Sequence, residues 1–342
     1  MPAFKRYEVH TPGTDFRKAT HIVQDAEVPA AKPGFVVIKN HYVGINATDI
    51  FITNGYYSSS PPPFGCGLDA VGEVVAVGEG VDHVKVGSAV VYSKFGAFAE
   101  YVELEADVAM VIPEVDADAL SLPVCGTSAL MALERVGQMK SGETVLVTAA
   151  AGGTGQFVVQ LAKLAGNHVV GTTSSDEKAE LIKKLGCDRV VNYNKEKLED
   201  VLKAEYPKGV DLVFESVGGE MIKTAVDNIA VDGRVIIFGF ISNYADDGAD
   251  DPLRFVEIGP KLGNKSASLR GFIMSNHMEL FPQYFHKLLK LVQEGKVRTG
   301  MDPKVFEGLE QIPDAIDYLY ARKNKGKIAV KLISSAGLGK LS

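Results

Sequence analysis

A glycine-rich stretch near the middle of the chain has the residue types that bind phosphate. Gly152, Gly153 and Gly155 stand between a run of β-prone or small residues, 145–149, and a segment with apolar residues at helical spacing, 156–165. Where a strand meets a helix across such glycines, backbone N–H groups at the positive end of the helix can approach phosphate oxygens. We therefore predict that a pyrophosphate is bound by Gly152, Gly153, Thr154 and Gly155.

The spacing matches the dinucleotide-binding pattern G-x-G-x-x-G at its second and third glycines, Gly152 and Gly155, whereas Ala150 stands at the first. The alternative interpretation is that the glycines only allow a tight turn in another kind of α/β protein. The strand and the helix that flank the turn favour a dinucleotide.

The end of the next predicted strand indicates which dinucleotide. A fold of this kind that binds NAD usually has an acidic residue there, but residues 171–175 contain none and the first acid is Asp176. Ser174 and Lys178 can supply the donor and the positive charge that a 2′-phosphate needs, which predicts NADPH. The alternative is a turn serine and a solvated helix lysine. Tyr193 is predicted to cover the same phosphate or the adenine, or else to be a half-buried tyrosine at a strand end.

The predicted elements place this turn in the second of two domains. Residues 1–124 contain short β-branched segments bounded by glycine and proline, which predicts an antiparallel, barrel-like domain. Residues 125–272 alternate strands with helices, which predicts a doubly wound parallel sheet. We expect residues 273–342 to return to the first domain through an amphipathic helix, 279–294, and a strand, 327–332.

Individual elements follow from the same patterns. In the first domain the strands are predicted at residues 35–43, 70–78, 89–92 and 99–102. In the second they are predicted at residues 145–149, 168–172, 189–192, 210–214, 234–238 and 268–272. Helices are predicted at 128–136 and at 176–185, the latter with Ser175 as N-cap and Gly186 just past its end.

Composition excludes several classes of protein. The 342 residues carry 36 Lys and Arg against 43 Asp and Glu, a formal net charge of -7, and no basic cluster, so nucleic acid is not an expected partner. No apolar run approaches the roughly 20 residues that span a bilayer, so no membrane association is expected. Three widely spaced cysteines suit reduced thiols and predict a cytoplasmic location, with a peroxisomal one less favoured.

The motifs together resemble a known family. Residues 44–50 (GINATDI), 63–72, 126–129 and 149–155 look like the quinone-oxidoreductase branch of the medium-chain dehydrogenase/reductase superfamily. Longer matches narrow the resemblance to prostaglandin reductases within that branch; they lie at residues 148–156, 171–178, 185–189, 215–219 and 239–242. The resemblance implies a GroES-like β-barrel domain followed by a Rossmann domain that binds NADPH.

The resemblance also bears on metal chemistry. Zinc-dependent members of the superfamily carry Cys where Asn46 stands and His where Leu68 stands, and neither residue here is a good zinc ligand. Asp69 occupies the acidic position of the family, but without a Cys or His partner we interpret it as structural. We expect no metal and a hydride transfer that does not depend on zinc.

The activity implied is reduction of the carbon–carbon double bond of α,β-unsaturated ketones such as 15-oxo-prostaglandins. Such a reaction needs hydride at the β-carbon, a donor that stabilises the enolate oxygen, and a proton at the α-carbon. Asn46 and Tyr56 are the candidate donors. Alternatively, the Asn46 side chain only fixes a turn, and Tyr56 is an aromatic residue at the rim of the site. The sequence does not identify the proton donor.

The resemblance further implies contacts to the cofactor. Thr127 would touch the nicotinamide end, Ser216 and Ile241 would line the cofactor channel, and Asn324 would reach the cofactor from the C-terminal segment. The alternatives are a helix N-cap for Thr127 and a loop residue for Asn324. We expect a homodimer that acts on a small apolar enone. Two other functions stay open: a quinone reductase and a non-catalytic sensor or structural protein that binds NADPH.

Overall fold

The computed structural model describes residues 3–25, 27–57, 60–244 and 255–332. The strands in these residues are β1 (Phe4–Val9), β2 (Thr20–Asp25), β3 (Phe35–Ile45), β4 (Phe64–Gly65), β5 (Asp69–Val77), β6 (Ala89–Ser93), β7 (Tyr101–Glu105), β8 (Met110–Val111), β9 (Thr144–Val147), β10 (His168–Thr173), β11 (Arg189–Asn192), β12 (Val210–Glu215), β13 (Ile229–Ile237), β14 (Ser268–Gly271), β15 (Phe306–Glu307) and β16 (Ile328–Lys331). The helices are α1 (Phe16–Ala19), α2 (Asp49–Thr53), α3 (Ser128–Met131), α4 (Gly153–Leu164), α5 (Asp176–Lys184), α6 (Leu198–Glu205), α7 (Gly219–Asp227), α8 (Phe255–Lys265), α9 (Phe281–Gln293) and α10 (Ile312–Tyr320). None of these helices is long and apolar enough to cross a membrane.

The chain divides into two compact units. The first unit consists of the residues up to Val124 and from Met301 onward, and the second is Cys125–Gly300. We expected the whole segment 273–342 to return to the first domain, but residues 273–300 belong to the second unit. Helix α9 explains the difference, because the Leu288 side chain packs so closely on Gly126 that a Cβ there would lie 2.4 Å from it.

The first unit is built from antiparallel strands, as expected. One sheet has the order β15-β16-β3-β5-β6-β8 with β7 also paired to β3, and a smaller sheet has the order β2-β1-β4. Only β15 and β16 pair in parallel in these two sheets of the described chain. The core between the strands is apolar, with Tyr92, Phe98 and Leu104 fully buried.

The second unit confirms the doubly wound parallel sheet. Its six strands have the order β11-β10-β9-β12-β13-β14, and every pairing is parallel. The direction of winding changes between β9 and β12, and in open α/β sheets ligands bind outside the carboxyl ends of the strands at that point. The predicted phosphate-binding turn follows β9 directly.

Most predicted elements are confirmed to within one or two residues. Helix α5 begins after Ser175, whose Oγ accepts a hydrogen bond from the Lys178 backbone N–H, and ends before Gly186 at φ 99°. The strand expected at 99–102 instead begins at Tyr101. Ahead of it, the Ala99 carbonyl accepts a hydrogen bond from the Asn40 side chain.

Candidate functional site

The glycine turn is fixed in place by the neighbouring strand. The backbone N–H of Ala149 donates to Thr172 Oγ1 at 3.2 Å, and that of Ala150 donates to the Thr172 carbonyl at 3.0 Å. Gly155 allows the helix to approach this turn closely, because a Cβ at that position would lie 2.4 Å from the Ala149 carbonyl oxygen. A side chain at position 155 would therefore push helix and turn apart.

The other predicted phosphate contacts lie at the start of α4. Gly152 is the N-cap residue with an extended backbone, and Gly153 and Thr154 are the first two helical residues. The first backbone N–H groups of a helix have no intrahelical acceptor, and they lie at the positive end of the helix dipole. The Gly152 backbone N–H already donates to the Ala149 carbonyl at 2.9 Å, so the N–H groups of Gly153, Thr154 and Gly155 are the ones that can receive a pyrophosphate. Binding itself stays a prediction.

Ser174 and Lys178 lie at the carboxyl end of β10, as predicted. Ser174 precedes the N-cap of α5 and its carbonyl accepts a hydrogen bond from Asn194 Nδ2 at 2.7 Å. Lys178 lies in the first turn of α5 with its side chain largely buried, at 9% exposure. Tyr193 is half-buried and follows β11, where its backbone N–H donates to the Thr173 carbonyl at 3.1 Å.

Asp176, the nearest acid to this strand end, already has partners. Its Oδ2 accepts a hydrogen bond from Lys195 Nζ at 2.5 Å and its Oδ1 accepts one from Asn192 Nδ2 at 3.0 Å. The hydrogen bond from Lys195 is the main reason that the pKa of this carboxyl lies below its ordinary value. An NAD-specific site needs a carboxylate that accepts from the ribose 2′-hydroxyl, whereas both carboxylate oxygens of Asp176 already accept hydrogen bonds from protein side chains.

A buried glutamate organises the loops at the end of β12. Glu215 Oε1 accepts hydrogen bonds from Thr148 Oγ1 and from the Val217 backbone N–H, both at 3.0 Å, and Oε2 accepts one from the Gly218 backbone N–H at 2.8 Å. Burial raises the pKa of this carboxyl, while the same hydrogen bonds act in the opposite direction. Glu215 thus ties the end of β12 to the residue that follows β9.

Ser216 and Ile241, both predicted to line the cofactor channel, are brought together beside this glutamate. The Ser216 backbone N–H donates to Thr148 Oγ1 at 2.9 Å, and the Ile241 backbone N–H donates to the Ser216 carbonyl at 3.3 Å. Both residues are half-buried at the carboxyl edge of the sheet. Their contact with a cofactor stays a prediction.

Thr127 is buried at the start of α3, within a continuous helical stretch. Its backbone is helical, with φ -64° and ψ -43°, and its side chain makes no capping hydrogen bond. The structure therefore disfavours the N-cap interpretation of Thr127. The expected contact with the nicotinamide end is a prediction that this geometry leaves standing.

In the first unit, three polar side chains form a buried cluster that we call the Asn46 cluster: Asn46, Asp69 and Lys327. Lys327 Nζ donates to Asn46 Oδ1 at 2.6 Å and to Asp69 Oδ2 at 2.7 Å, and Asn46 Nδ2 donates to Asp69 Oδ1 at 2.9 Å. The exposed fractions are 8% for Asn46, 0% for Asp69 and 2% for Lys327. The second N–H of the Asn46 amide points to the Gly44 carbonyl at a longer 3.3 Å.

Strand pairing explains why these distant residues meet. Strands β5 and β16 pair with β3 from opposite sides, so that Gly44 is the partner of both Asp69 and Ala329. Lys327 directly precedes β16, and Asn46 directly follows β3. A Cβ at Gly44 would lie 2.3 Å from Asp69 Oδ1 and 2.9 Å from Lys327 Nζ, so the cluster needs a glycine there.

A second buried carboxyl lies beside the cluster. Asp49 Oδ2 accepts a hydrogen bond from the Asn46 backbone N–H at 2.8 Å, whereas Asp49 Oδ1 has no hydrogen-bond partner among the described residues. Burial raises the pKa of Asp49 from 3.8 to about 8, against the opposing effects of that hydrogen bond and of the Lys327 charge. Asp49 is therefore protonated in the folded protein at neutral pH.

This shift predicts a pH-dependent stability. The folded protein keeps a proton on Asp49 that the unfolded chain loses above about pH 4. The contribution of Asp49 to the free energy of unfolding therefore falls as the pH rises from about 4 to about 8, and it is constant at higher pH. Asp49→Asn removes this contribution. Urea unfolding from pH 5 to 9 should show the variant gaining stability over the unchanged protein as pH rises.

The groups that face Asp49 are Lys327, Asp69 and the Cys66 thiol, and all three remain in the variant. Asp200→Asn, which alters an exposed carboxylate on α6, is the control and should show no such trend. A stability difference between Asp49→Asn and the unchanged protein that is the same at every pH would contradict the prediction.

Two predicted residues have local roles in this structure. Tyr56 is 70% exposed and stacks on Phe51 with ring centroids 4.9 Å apart, in agreement with a rim aromatic. Asn324 is buried and its Nδ2 donates to the Gly326 carbonyl at 2.9 Å, which closes the turn before Lys327. The proposed contacts of Tyr56 with substrate and of Asn324 with cofactor stay predictions.

Lys327 and Glu215 are functional-site residues that the sequence patterns did not predict. A glycine–lysine pair before an apolar strand is the only sequence signal for Lys327, and it does not indicate burial. Glu215 has a stronger signal, because it ends a buried strand and is followed by Ser-Val-Gly-Gly, a segment whose backbone N–H groups need an acceptor.

Comparison with known proteins gives the context of these two sites. Residues 32–114 match the model of the alcohol dehydrogenase GroES-like domain, and residues 153–294 match the model of the zinc-binding dehydrogenase family. The chain is 44% identical over 326 residues to prostaglandin reductase-3 from Mus musculus, covering 93% of this chain and 86% of that protein. It is 43% identical over 335 residues to a probable quinone oxidoreductase from Leishmania amazonensis, covering 96% of this chain and 98% of that protein.

A solved structure shows the same fold over nearly the whole chain. The Escherichia coli quinone oxidoreductase complexed with NADPH superposes with a TM-score of 0.84 at 26% identity, covering 96% of this chain and 100% of that one. The matched family models, the relatives and this solved structure all point to one superfamily. The chain belongs to the medium-chain dehydrogenase/reductase superfamily.

Proposed function

We propose that the protein is an NADPH-dependent oxidoreductase that reduces the carbon–carbon double bond of α,β-unsaturated ketones, with 15-oxo-prostaglandin-like enones as the substrate class. The observation that carries the proposal is the Asn46 cluster, an amide held by a buried ammonium, in a chain 44% identical to prostaglandin reductase-3. The geometry offers hydrogen-bond donors for an enone oxygen in a place where zinc-dependent relatives have metal ligands.

The matched family description implies zinc, but the residues present do not fit it. Asn46 Oδ1 and Asp69 Oδ2 both accept hydrogen bonds from Lys327 Nζ, and the neighbouring Leu68 side chain packs against the apolar core. No group of three or more His, Cys, Asp or Glu side chains among the described residues is placed to hold a metal ion. The proposed reaction therefore uses no metal ion.

The second unit supplies the residues for the dinucleotide. When bound, NADPH would supply the hydride that reaches the β-carbon of the enone. The α4 N-terminus at Gly153 and Thr154 would hold the pyrophosphate, Lys178 and Ser174 would bind the 2′-phosphate, and Tyr193 would cover it. Ser216, Ile241 and Thr127 would line the path toward the nicotinamide, and Asn324 would add a contact from the C-terminal segment.

The first unit supplies donors for the enone oxygen, on which negative charge develops as the β-carbon is reduced. Asn46 can provide one N–H if the substrate oxygen replaces the Gly44 carbonyl, since that bond is the longer of the two that the amide donates. The exposed hydroxyl of Tyr56 is the second candidate donor. Protonation of the α-carbon completes the reduction, and the candidate sources of that proton are solvent, Tyr56 and a ribose hydroxyl of the cofactor.

The test is a substrate panel. Purified protein is mixed with NADPH and, in separate reactions, a 15-oxo-prostaglandin, an alkenal and a naphthoquinone, while the nicotinamide absorbance is followed. We expect NADPH oxidation with the enones, with loss of the double bond in the product. Oxidation with the naphthoquinone alone would instead support a quinone reductase, which the 43% identity to a probable quinone oxidoreductase favours as the second candidate. NADPH binding without turnover would support a sensor.

We further propose that the protein is a homodimer, because it resembles the quinone-oxidoreductase branch. We also propose that it lies in the cytoplasm, because its three widely spaced cysteines suit reduced thiols. Analytical sedimentation at micromolar concentration tests the assembly, and a monomer would contradict it.

A further inference from the structure

We propose that Lys327 is a positioning residue of the substrate site, whose ammonium sets the orientation of the Asn46 amide and polarises it. The inference rests on the proposed function, because it concerns the donor that Asn46 offers to an enone oxygen. None of the sequence motifs indicates this role for Lys327. It follows from the contacts of a lysine side chain that is almost completely buried.

The orientation of an asparagine amide is set by what its two ends contact. Here Asn46 Oδ1 receives the Lys327 ammonium at 2.6 Å, so the nitrogen end must face Asp69 Oδ1 and the Gly44 carbonyl. Without Lys327, a 180° flip of the amide would no longer break a hydrogen bond to Asn46 Oδ1. Lys327 and Asp69 together determine that Asn46 presents N–H groups, and not its oxygen, toward Gly44.

The ammonium also changes the strength of the donor. A cation on the amide oxygen draws electron density from the amide nitrogen, and chains of hydrogen bonds in a low-dielectric interior strengthen one another. An enone oxygen that accepts from Asn46 Nδ2 would therefore be one amide away from a full positive charge. Lys327 would thus polarise the enone oxygen indirectly, through Asn46, whereas a metal ion would do so by direct contact.

Asp69 explains how a lysine can be buried there. A buried ammonium requires a counter-charge, and Asp69 Oδ2 lies 2.7 Å from Lys327 Nζ with both side chains at 1% exposure or less. Asp69 thus keeps the charge in place, while Asn46 transmits it. Removal of either charge alone would leave the other buried without its partner, so a test must remove both.

The experiment compares the charge-balanced variant Lys327→Met/Asp69→Asn with the unchanged protein. In this variant Asn46 Oδ1 loses the ammonium, whereas Asn46 Nδ2 keeps an amide oxygen at position 69 as its acceptor. With NADPH and the best enone of the panel, we expect kcat to fall at least tenfold while the Kd for NADPH changes less than twofold. Lys331→Met, on the following strand, is the matched control and should keep kcat within twofold.

Coupling to Asn46 separates positioning from a structural role. Asn46→Ala should lower kcat in the unchanged background but by less than twofold in the charge-balanced background, since the lysine acts through that amide. Equal fold losses in both backgrounds, or a charge-balanced variant with unchanged kcat, would overturn the proposal.

A readout that does not use activity keeps this outcome distinct from failure of the proposed function. In protein labelled with ¹⁵N-asparagine, the side-chain amide resonances of Asn46 are assigned by their loss in Asn46→Ala. We expect them to shift in the charge-balanced variant, and unchanged resonances would overturn the proposal. If the protein without substitutions oxidises no NADPH with any acceptor, only the proposed function is refuted. The amide resonances would then test the role of Lys327 by themselves.

Discussion

Lys178→Ala should raise the KM for NADPH well above tenfold and leave the KM for NADH nearly unchanged. The two cofactors differ only in the 2′-phosphate, so a lysine that contacts this group affects one of them and not the other. In the structure Lys178 lies in the first turn of α5, whose N-cap Ser175 and preceding Ser174 follow the end of β10 at Thr173. Steady-state kinetics with both cofactors and one enone measure the effect.

The acid at this strand end supports the same specificity. Asp176 accepts hydrogen bonds from Lys195 and Asn192, so a lysine compensates the negative charge that would otherwise repel a 2′-phosphate. A site for a 2′-phosphate needs positive charge, and Lys178 carries such a charge in the first turn of α5. We therefore expect the preference for NADPH over NADH to fall mainly through the loss of NADPH binding.

Two control variants define what the lysine contributes. Lys178→Met keeps the apolar stem, which is largely buried, and should behave as Lys178→Ala does if the charge matters. Lys183→Ala removes an exposed lysine of the same helix that pairs with Glu180, and it should change neither KM by more than twofold. Equal losses with NADPH and NADH in Lys178→Met would mean that the lysine supports the helix and not the phosphate.

The sequence predicts local elements well because their signals are local. Ser175 and Gly186 limit α5 through an N-cap hydrogen bond and a positive φ, both of which depend on residues within a few positions. The turn from β9 to α4 is likewise predicted from adjacent residues. Helix α9 was also predicted, but its amphipathic pattern does not indicate which core it covers, and it belongs to the second unit.

The Asn46 cluster could not be predicted for the opposite reason. Lys327 and Asp69 are 258 positions apart, and they meet only because β16 and β5 pair with the two sides of β3. A lysine next to a strand is usually solvated, so its residue type gives no warning of burial. Asp69, interpreted as structural from the sequence, proves to be the counter-charge of that lysine.

Glu215 is the second residue whose replacement should have a large effect. Glu215→Ala would leave the backbone N–H groups of Val217 and Gly218 without their acceptor, whereas the Thr148 hydroxyl would keep only its longer hydrogen bond, to the Phe214 carbonyl at 3.3 Å. Each unsatisfied buried donor costs about 1–3 kcal/mol, so the loss of the acceptor for these two N–H groups should lower the free energy of unfolding by roughly 2 kcal/mol or more. Urea unfolding at neutral pH measures this loss.

The same change should weaken NADPH binding. Ser216 and Ile241, the predicted channel residues, are joined by a backbone hydrogen bond and are held to the sheet by Thr148 and the neighbouring glutamate. When Glu215 is lost, the loop after β12 is free to move away from the end of β9. Titration of NADPH fluorescence should show a higher Kd, even at temperatures where the variant is fully folded.

Glu215→Gln provides the graded comparison. Its oxygen can still accept from Thr148 and Val217, while its amide nitrogen faces the Gly218 N–H and loses that bond. Stability and NADPH affinity should therefore both fall in the order Glu, Gln, Ala. Glu220→Ala, an exposed glutamate at the start of α7, should change neither quantity. If Glu215→Ala unfolds at the same urea concentration as the protein without the substitution, the loop does not depend on this carboxylate. The predicted loss of NADPH binding would then have no structural reason.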